Sequence, residues 1–228
     1  MAGKKRRNKS SMKYIIMCGG DYKKWEKPRQ LSVINGERII ERTIRLLKEN
    51  GINDIYISSN SNCFDYLWDI PKLKHNNDFV VESDSSSGYW INCFYQLDEP
   101  VCYLFGDVFY SNNAIKTIVH HKTNDIQFFA SAPPFAPNYF KNWAEPFAFK
   151  VVNIKHFKEA IEKVKDYYKK SLFNRHPISW ELWQVIKETP INEIDYNNYC
   201  IINDYTCDID DIGDIQKIET EISKGEIK

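Results

Sequence analysis

The stretch from Lys13 to Glu41 constrains the fold more than any other part of the chain. It begins with a short apolar run, Tyr14 to Met17, which is typical of a central strand that is covered on both faces. Cys18, Gly19 and Gly20 then turn the chain, and glycine lets the backbone come close to a ligand. The amides of such a turn point together at phosphate oxygens in many anion sites. The stretch therefore predicts a strand that opens into an anion-binding loop, with an ordinary turn as the alternative.

Four basic side chains follow the glycines within a short span of chain. They are Lys23, Lys24, Lys27 and Arg29. This is more positive charge than a solvated turn usually needs, and a polyanion such as a nucleoside triphosphate would use it. Lysines are also common in exposed loops, so the charge becomes informative only together with the glycines.

A helix and a second strand follow the basic loop. Apolar residues at helical spacing predict a helix over 37–50, which Gly51 ends. The run over 52–58 predicts a strand, and strand, helix, strand is the unit of a parallel sheet. Further strands are predicted at 79–81, 101–105, 126–130, 147–152 and 199–203, and further helices at 63–68, 115–121, 157–168 and 178–186. The pattern indicates an α/β fold.

The same opening stretch resembles a known signature. Ile15, Ile16, Met17, Cys18, Gly19 and Gly20 match its first part, and Pro28, Leu31, Ile34, Gly36, Ile39, Ile40 and Glu41 match its second part in register. The pattern is similar to that of nucleotidyltransferases with a GT-A-like fold, which include sugar-phosphate, phosphocholine and polyol-phosphate nucleotidyltransferases and MobA-like proteins. The resemblance covers most of 12–219. It implies a three-layer α/β/α domain of Rossmann-like type with a mixed, mainly parallel central sheet.

Some positions depart from the signature. Tyr22 stands where the family has its second loop glycine, and Arg38 stands where it has a later proline. Lys24 and Arg29 replace an arginine and a lysine, so the charge that phosphate contact requires is kept at both positions. The resemblance implies that Lys24, Lys27 and Arg29 offset charge on a triphosphate, and that Cys18, Gly19 and Gly20 contact the nucleotide.

A polar loop between 82 and 97 leads into an amphipathic segment. In the family a loop at this place contacts the base and the ribose. The resemblance therefore implies nucleotide contacts for Ser86, Ser87, Gly88 and Asn92. The alternative is an ordinary helix N-cap at Ser86 or Ser87, and both roles are compatible.

Acidic residues occur at two informative places. Asp107 follows the apolar run 101–105, and ligands of open parallel sheets bind beyond the carboxyl ends of the strands. Asp208 and Asp210 alternate, so on extended backbone both carboxylates face one way and repel unless a cation lies between them. The resemblance implies that Asp107, Asp208 and Asp210 hold Mg²⁺. A turn aspartate at 107 and a solvated helix start at 208–210 are the alternatives.

The final helix is predicted to begin just after these acids. Asp211 is expected to cap it, and Ile212, Ile215 and Ile218 are expected to pack inward.

Two residues elsewhere are candidates for binding the second substrate. Glu145 precedes a predicted strand in an aromatic, proline-rich segment, and Trp180 could line a pocket or an oligomer interface, with core packing as the alternative.

Charge and cysteine usage limit the partners and the compartment. Lys plus Arg equals Asp plus Glu at 31 each, which gives no argument for nucleic acid or membrane as a partner. Residues 1–11 carry five bases and no acids, and are expected to be a disordered or non-native tail before a single domain over 12–228. The six cysteines show no C-x-x-C spacing, which predicts reduced thiols in a cytoplasmic protein.

The resemblance thus implies a Mg²⁺-dependent nucleotidyltransferase, with CTP the favoured nucleotide by its likeness to the phosphocholine-type cytidylyltransferases. Its acceptor would be a phosphorylated small molecule, pyrophosphate would be released, and the product would serve capsule or surface-polymer synthesis. A homodimer would be compatible with this prediction. The alternatives are a GT-A glycosyltransferase that uses a nucleotide sugar, and an inactive nucleotide-binding regulatory domain.

Overall fold

A seven-stranded sheet forms the centre of the protein. The computed structural model describes residues 12–19, 25–74, 91, 93–133, 144–191 and 196–225. The strands are β1 (Lys13–Met17), β2 (Val33–Ile34), β3 (Glu37–Arg38), β4 (Ile55–Ser58), β5 (Lys72–Leu73), β6 (Val101–Phe105), β7 (Val108–Phe109), β8 (Ile126–Ser131), β9 (Pro146–Val151), β10 (Cys200–Ile202) and β11 (Cys207–Asp208). The α-helices are α1 (Ile39–Glu49), α2 (Asn112–His120), α3 (Ile154–Lys169), α4 (Ser179–Lys187) and α5 (Ile212–Ser223).

The order of strands in the sheet is β10-β8-β9-β6-β1-β4-β5. β1 pairs in parallel with both β4 and β6, β4 pairs in parallel with β5, and β8 pairs in parallel with β10. β9 is antiparallel to both of its neighbours, β6 and β8. Six strands therefore point one way and β9 alone points the other, within the described sheet. This is the mixed, mainly parallel sheet that the sequence predicts.

Helices cover both faces of the sheet, as two neighbouring residues of β9 make clear. The ring of Phe149 lies 6.2 Å from that of Phe157 on α3 and 6.4 Å from that of Trp183 on α4. The next side chain, Lys150, reaches the end of α2 instead. Because successive side chains of a strand point to opposite faces, α2 and the pair α3 and α4 lie on opposite sides. The predicted three-layer arrangement is confirmed.

Most predicted elements are confirmed within a few residues, but the helix predicted at 63–68 is only a 3-10 turn over Asn62–Phe64, and the last helix holds a second error. Asp211 caps α5, since its side chain accepts from the amides of Gly213 and Asp214. Ile218 is buried as predicted, but Ile212 is 65% exposed, so its prediction as a core residue was wrong. Ile212 is the first residue of the helix, where the chain has not yet turned toward the core. The predicted strand 79–81 and the tail 1–11 lie outside the described residues.

The cysteines agree with the prediction of reduced thiols. All six thiols are free, and Cys18, Cys93, Cys102 and Cys207 are buried. Among the described residues, no helix has both the length and the apolar character needed to cross a bilayer.

Lys150 is a buried lysine that closes the end of α2. Its Nζ donates to the carbonyl oxygens of Ile118, Val119 and His121, at 3.0, 2.8 and 2.8 Å. The last carbonyls of a helix have no partner within the helix, and they carry the negative end of its dipole. The ammonium group has three donors, so it satisfies three of these carbonyls at once. A charge can be buried here because the helix end supplies the compensating groups.

Substitution of Lys150 by Met should destabilise the fold without changing its shape. The apolar stem is kept, but three carbonyl oxygens lose their donor, and we expect a loss of about 2 kcal/mol or more in the free energy of unfolding. Urea unfolding followed by circular dichroism measures it. Lys155→Met is the matched control, because the Lys155 side chain is 86% exposed and forms an ion pair with Glu159 on the surface of α3. Equal stability of the two variants would contradict the capping role.

Candidate functional site

The carboxyl ends of β1 and β6 lie side by side and form the centre of the candidate site. Met17 is in register with Phe105, and the amide of Gly106 donates to the Met17 carbonyl oxygen at 3.0 Å. Cys18, Gly19 and Asp107 follow these two strand ends directly. Parallel pairing therefore brings the glycine loop and the first acid to one edge of the sheet, as the sequence predicts.

Gly106 permits this close approach. A Cβ atom at position 106 would lie 2.8 Å from the Sγ of Cys18 and closer still to the carbonyl oxygen of Met17. It would also lie 3.1 Å from the side chain of Gln30. Neither a carbonyl oxygen within a sheet nor a buried thiol can move far, so only glycine fits here without a shift of the backbone. The sequence analysis did not assign this function to Gly106.

A short antiparallel ladder brings the second acidic segment to Asp107. β11 pairs with β7, with Cys207 opposite Phe109 and Asp208 opposite Val108. One step further along, the amide of Ile209 donates to the carbonyl oxygen of Asp107 at 2.9 Å. The ladder joins segments about 100 residues apart in sequence. It carries Asp208 and Asp210 to the edge where β6 ends.

Glu145 reaches the same edge because β9 runs against its neighbours. The amino end of an antiparallel strand lies beside the carboxyl ends of the strands that it pairs with. Glu145 precedes β9, its amide donates to the Oγ of Ser131 at 2.7 Å, and its carbonyl oxygen accepts from the Ser131 amide at 2.9 Å. Pro146 is the first residue of β9, the one position where a central strand tolerates proline. Glu145 is 1% exposed.

The carboxylates of Glu145, Asp208 and Asp210 form a compact group. One oxygen from each lies within 4.8 Å of the other two. The prediction that Asp208 and Asp210 face the same way is confirmed by this distance. Hard carboxylate oxygens are the ligands that Mg²⁺ prefers, so the donor set fits the ion that the fold implies. The sequence analysis instead grouped Asp107 with these two aspartates and assigned Glu145 to the acceptor. The metal role stays a prediction.

Arg29 connects Asp107 with Asp210. Its Nη2 lies 2.7 Å from Oδ2 of Asp107, and its Nη1 lies 2.8 Å from Oδ1 of Asp210 and 2.9 Å from the carbonyl oxygen of Ile209. Burial works against the charged form of Arg29. Nearby Asp107, Asp210 and Asp208 more than offset this and raise the pKa of Arg29 above its ordinary value. The guanidinium is therefore a fixed positive charge among the acids.

The other described residues of the loop lie around this centre. Cys18 is fully buried, and burial, followed by the charge of Asp107, raises the pKa of its thiol, which makes it a poor nucleophile. The thiol of Cys93 contacts the carbonyl oxygen of Gly19. Lys27 is exposed and lines a groove that passes between the loop and the start of α5, where Asp210 also lies.

Several predicted site residues are not part of this geometry. Trp180 is buried, with its ring 5.0 Å from that of Phe128 and 5.3 Å from that of Tyr199, so it has the core-packing position that the sequence left as the alternative. Lys24, Gly20, Ser86, Ser87, Gly88 and Asn92 lie outside the described residues. Their predicted contacts with a nucleotide stay predictions.

Comparisons with known proteins give matches to structures only. No family profile matches the sequence, and no curated protein matches it. The fold is similar to that of an inositol-1-phosphate CTP transferase from T. maritima, with 14% identity over 95% of this chain and 97% of that chain and a TM-score of 0.52. It is similar to a CTP:phosphocholine cytidylyltransferase from Streptococcus pneumoniae, with 16% identity over 92% of this chain and 99% of that chain and a TM-score of 0.51. It is also similar to a 4-diphosphocytidyl-2C-methyl-D-erythritol synthase from Anaerococcus prevotii, with 15% identity over 93% of this chain and 96% of that chain and a TM-score of 0.57.

These similarities confirm the predicted GT-A-like fold of nucleotidyltransferases. Each aligned chain is covered almost completely, so the likeness extends over the whole architecture and is not limited to a single supersecondary unit.

Replacement of Gly106 by Ala should damage both stability and the site. The added methyl group forces the ends of β1 and β6 apart, and we expect a cost of about 1–3 kcal/mol in the free energy of unfolding. Gly51→Ala is the control. A Cβ atom at position 51 would have no neighbour within 4 Å, but the φ of +80° makes alanine there cost about 1 kcal/mol in the free energy of unfolding. Gly51 follows α1, at the opposite edge of the sheet. Only the Gly106 variant should lose ligand-induced thermal shifts. If both variants keep the ligand-induced thermal shift, the close contact between the ends of β1 and β6 at Gly106 is not needed for binding.

Proposed function

We propose that this protein is a Mg²⁺-dependent nucleotidyltransferase that joins a nucleotide, with CTP favoured, to a phosphorylated small molecule. The observation that carries the proposal is the convergence at one edge of the sheet. The glycine loop after β1, Asp107 after β6, Glu145 before β9 and the acids after β11 all meet there. Open α/β sheets bind their ligands at this edge.

In the proposed reaction a phosphate oxygen of the acceptor attacks the α-phosphorus of the nucleoside triphosphate. A new bond forms between that oxygen and the α-phosphorus, the bond from the α-phosphorus to the bridging oxygen breaks, and pyrophosphate leaves. Catalysis of this kind is mostly positioning and stabilisation of charge. It needs no side-chain nucleophile, in keeping with a Cys18 thiol that burial keeps protonated.

The residues of the site have separate functions in this proposal. Gly19 places its backbone amide beside the triphosphate at the end of β1, whereas the Cys18 amide donates to the carbonyl oxygen of Ser58 at 2.8 Å and anchors the start of the loop to the sheet. Arg29 and Lys27 offset the charge of the phosphate oxygens, Arg29 from a half-buried position and Lys27 from the groove wall. Asp208 and Asp210, together with Glu145 or Asp107, would hold Mg²⁺. When bound, this ion neutralises phosphate oxygens and orients the triphosphate.

Cytidine is the favoured base because the structural neighbours described above are named for CTP or for cytidylyl products. Two of those names also contain a phosphorylated alcohol or amine, inositol-1-phosphate and phosphocholine. An acceptor of the same chemical class is proposed for this chain.

The nucleotide is tested by thermal shift with CTP, UTP, GTP and ATP, each with and without Mg²⁺. A ligand that binds only the folded state stabilises it by about 2.7 kcal/mol at 100 times its dissociation constant. We expect a Mg²⁺-dependent shift with CTP that exceeds those of the other nucleotides. Pyrophosphate release with panels of phosphorylated alcohols and amines then identifies the acceptor. Absence of any triphosphate shift, together with a shift on addition of a nucleotide sugar, would instead indicate a GT-A glycosyltransferase.

The acids are tested by conservative amide substitutions. Asp107→Asn and Asp210→Asn should each lower the rate of pyrophosphate release by about 100-fold or more, because a neutral amide binds the divalent cation that would neutralise the triphosphate much less well than a carboxylate does. Asp98→Asn is the control, since its side chain is 98% exposed and forms an ion pair with Lys158 at the surface, and its rate should match the wild type. Thermal unfolding of each variant checks that the fold is intact. A folded Asp107→Asn protein with the wild-type rate would rule out a role for this acid.

A further inference from the structure

We propose that Arg29 is an exchangeable internal cation: it neutralises Asp107 and Asp210 until the metal–nucleotide complex binds and is then transferred to the phosphates. This inference rests on the proposed function and deepens it, because it makes binding of the divalent cation dependent on the nucleotide. The geometry that supports it is the pair of ion pairs from one guanidinium to acids on two different segments.

The local backbone holds Arg29 beside the acids. Arg29 follows Pro28 and begins a 3-10 turn over Arg29–Leu31, which fixes its backbone beside the acids. The guanidinium has a half-buried setting, with 27% of the side chain exposed, and Asp107 has 23%. Removing the charge from such a setting would leave like-charged carboxylates close together. The ion pair with Asp107 is therefore stronger than typical surface ion pairs, which contribute little, whereas Asp210 is 43% exposed and is the partner that Arg29 gives up more easily.

The same guanidinium also fits the ligand. Its planar fork binds the two oxygens of a phosphate as readily as it binds carboxylates, which a lysine ammonium does not do. A divalent cation near Asp210 repels the guanidinium, since both are positive and the local dielectric is low. A triphosphate brought in with that cation offers new acceptors for the released fork. Arg29 thus exchanges one set of oxygens for another without ever being left unpaired.

The exchange predicts a measurable coupling between two ligands. Without nucleotide, a divalent cation must displace Arg29 from Asp210 with no new partner for the arginine, so its binding is weak. With nucleotide, the arginine is paired again and the cation binds more tightly. Coupling is reciprocal, and typical values lie between about 5-fold and 150-fold in affinity.

The test measures Mn²⁺ binding by electron paramagnetic resonance of the free ion, first without nucleotide and then with CTP. For the wild type we expect weak binding of Mn²⁺ alone and at least about fivefold tighter binding with CTP. Arg29→Gln should bind Mn²⁺ alone at least about fivefold more tightly than the wild type and should lose most of the tightening by CTP. Arg29→Lys, which keeps the charge but not the fork, should lie between the two.

Arg45→Gln is the matched control. Arg45 also bridges two carboxylates, Glu37 at 2.8 Å and Glu49 at 2.9 Å, but on the outside of α1. Its removal frees surface carboxylates in the same way, and Mn²⁺ binding should stay at the wild-type value. Thermal unfolding of each variant establishes that it is folded.

The outcomes separate this inference from the proposed function. Wild-type Mn²⁺ affinity in folded Arg29→Gln overturns the exchange, even if nucleotide turnover is found. Tighter Mn²⁺ binding in Arg29→Gln but not in Arg45→Gln supports the internal cation and is measured without nucleotide, so it stands if CTP proves to be the wrong base. Failure of every triphosphate to bind overturns the proposed function and with it the transfer of Arg29 to phosphate.

Discussion

The parallel pairing of β1 with β6 is the contact on which the site depends. It places Met17 opposite Phe105 and lets the Gly106 amide donate to the Met17 carbonyl oxygen. The loop after β1 and Asp107 after β6 therefore leave the sheet side by side. Every other part of the site attaches to this pair: β7 continues from β6, β11 pairs with β7, and β9 pairs with β6 on its other side. A shift of one residue in this register would separate Cys18 from Asp107.

Charge is the second constraint, and it is balanced locally. Glu145, Asp208 and Asp210 lie close together, Asp107 is near, and Arg29 is held between Asp107 and Asp210. Such a concentration of carboxylates is stable only with cations among them. Arg29 supplies one positive charge, and under the proposed function a divalent cation and the basic loop supply the rest when the triphosphate binds.

Lys150 illustrates the same principle outside the site. A buried ammonium is tolerated because three carbonyls at the end of α2 receive its three donors. Arg29 and Lys150 therefore differ in what their partners are. Lys150 is satisfied by fixed backbone groups and serves the fold, whereas Arg29 is satisfied by side-chain carboxylates that also suit a metal, which makes its position exchangeable.

The sequence by itself determined most of the fold and the identity of the acids. Apolar runs and helical spacing are local signals, so β6 and the cap of α5 at Asp211 were predictable. Asp107 stood out because it follows an apolar strand, and Asp208 and Asp210 stood out because they alternate on extended backbone. Local signals do not specify the direction in which a strand runs. The reversal of β9 was therefore decided only by the tertiary structure, and it is what moved Glu145 from a separate acceptor role into the group of acids. The pairing of Arg29 with Asp107 and Asp210 was likewise undetermined by sequence, because it joins residues up to 181 positions apart through packing that no local pattern encodes.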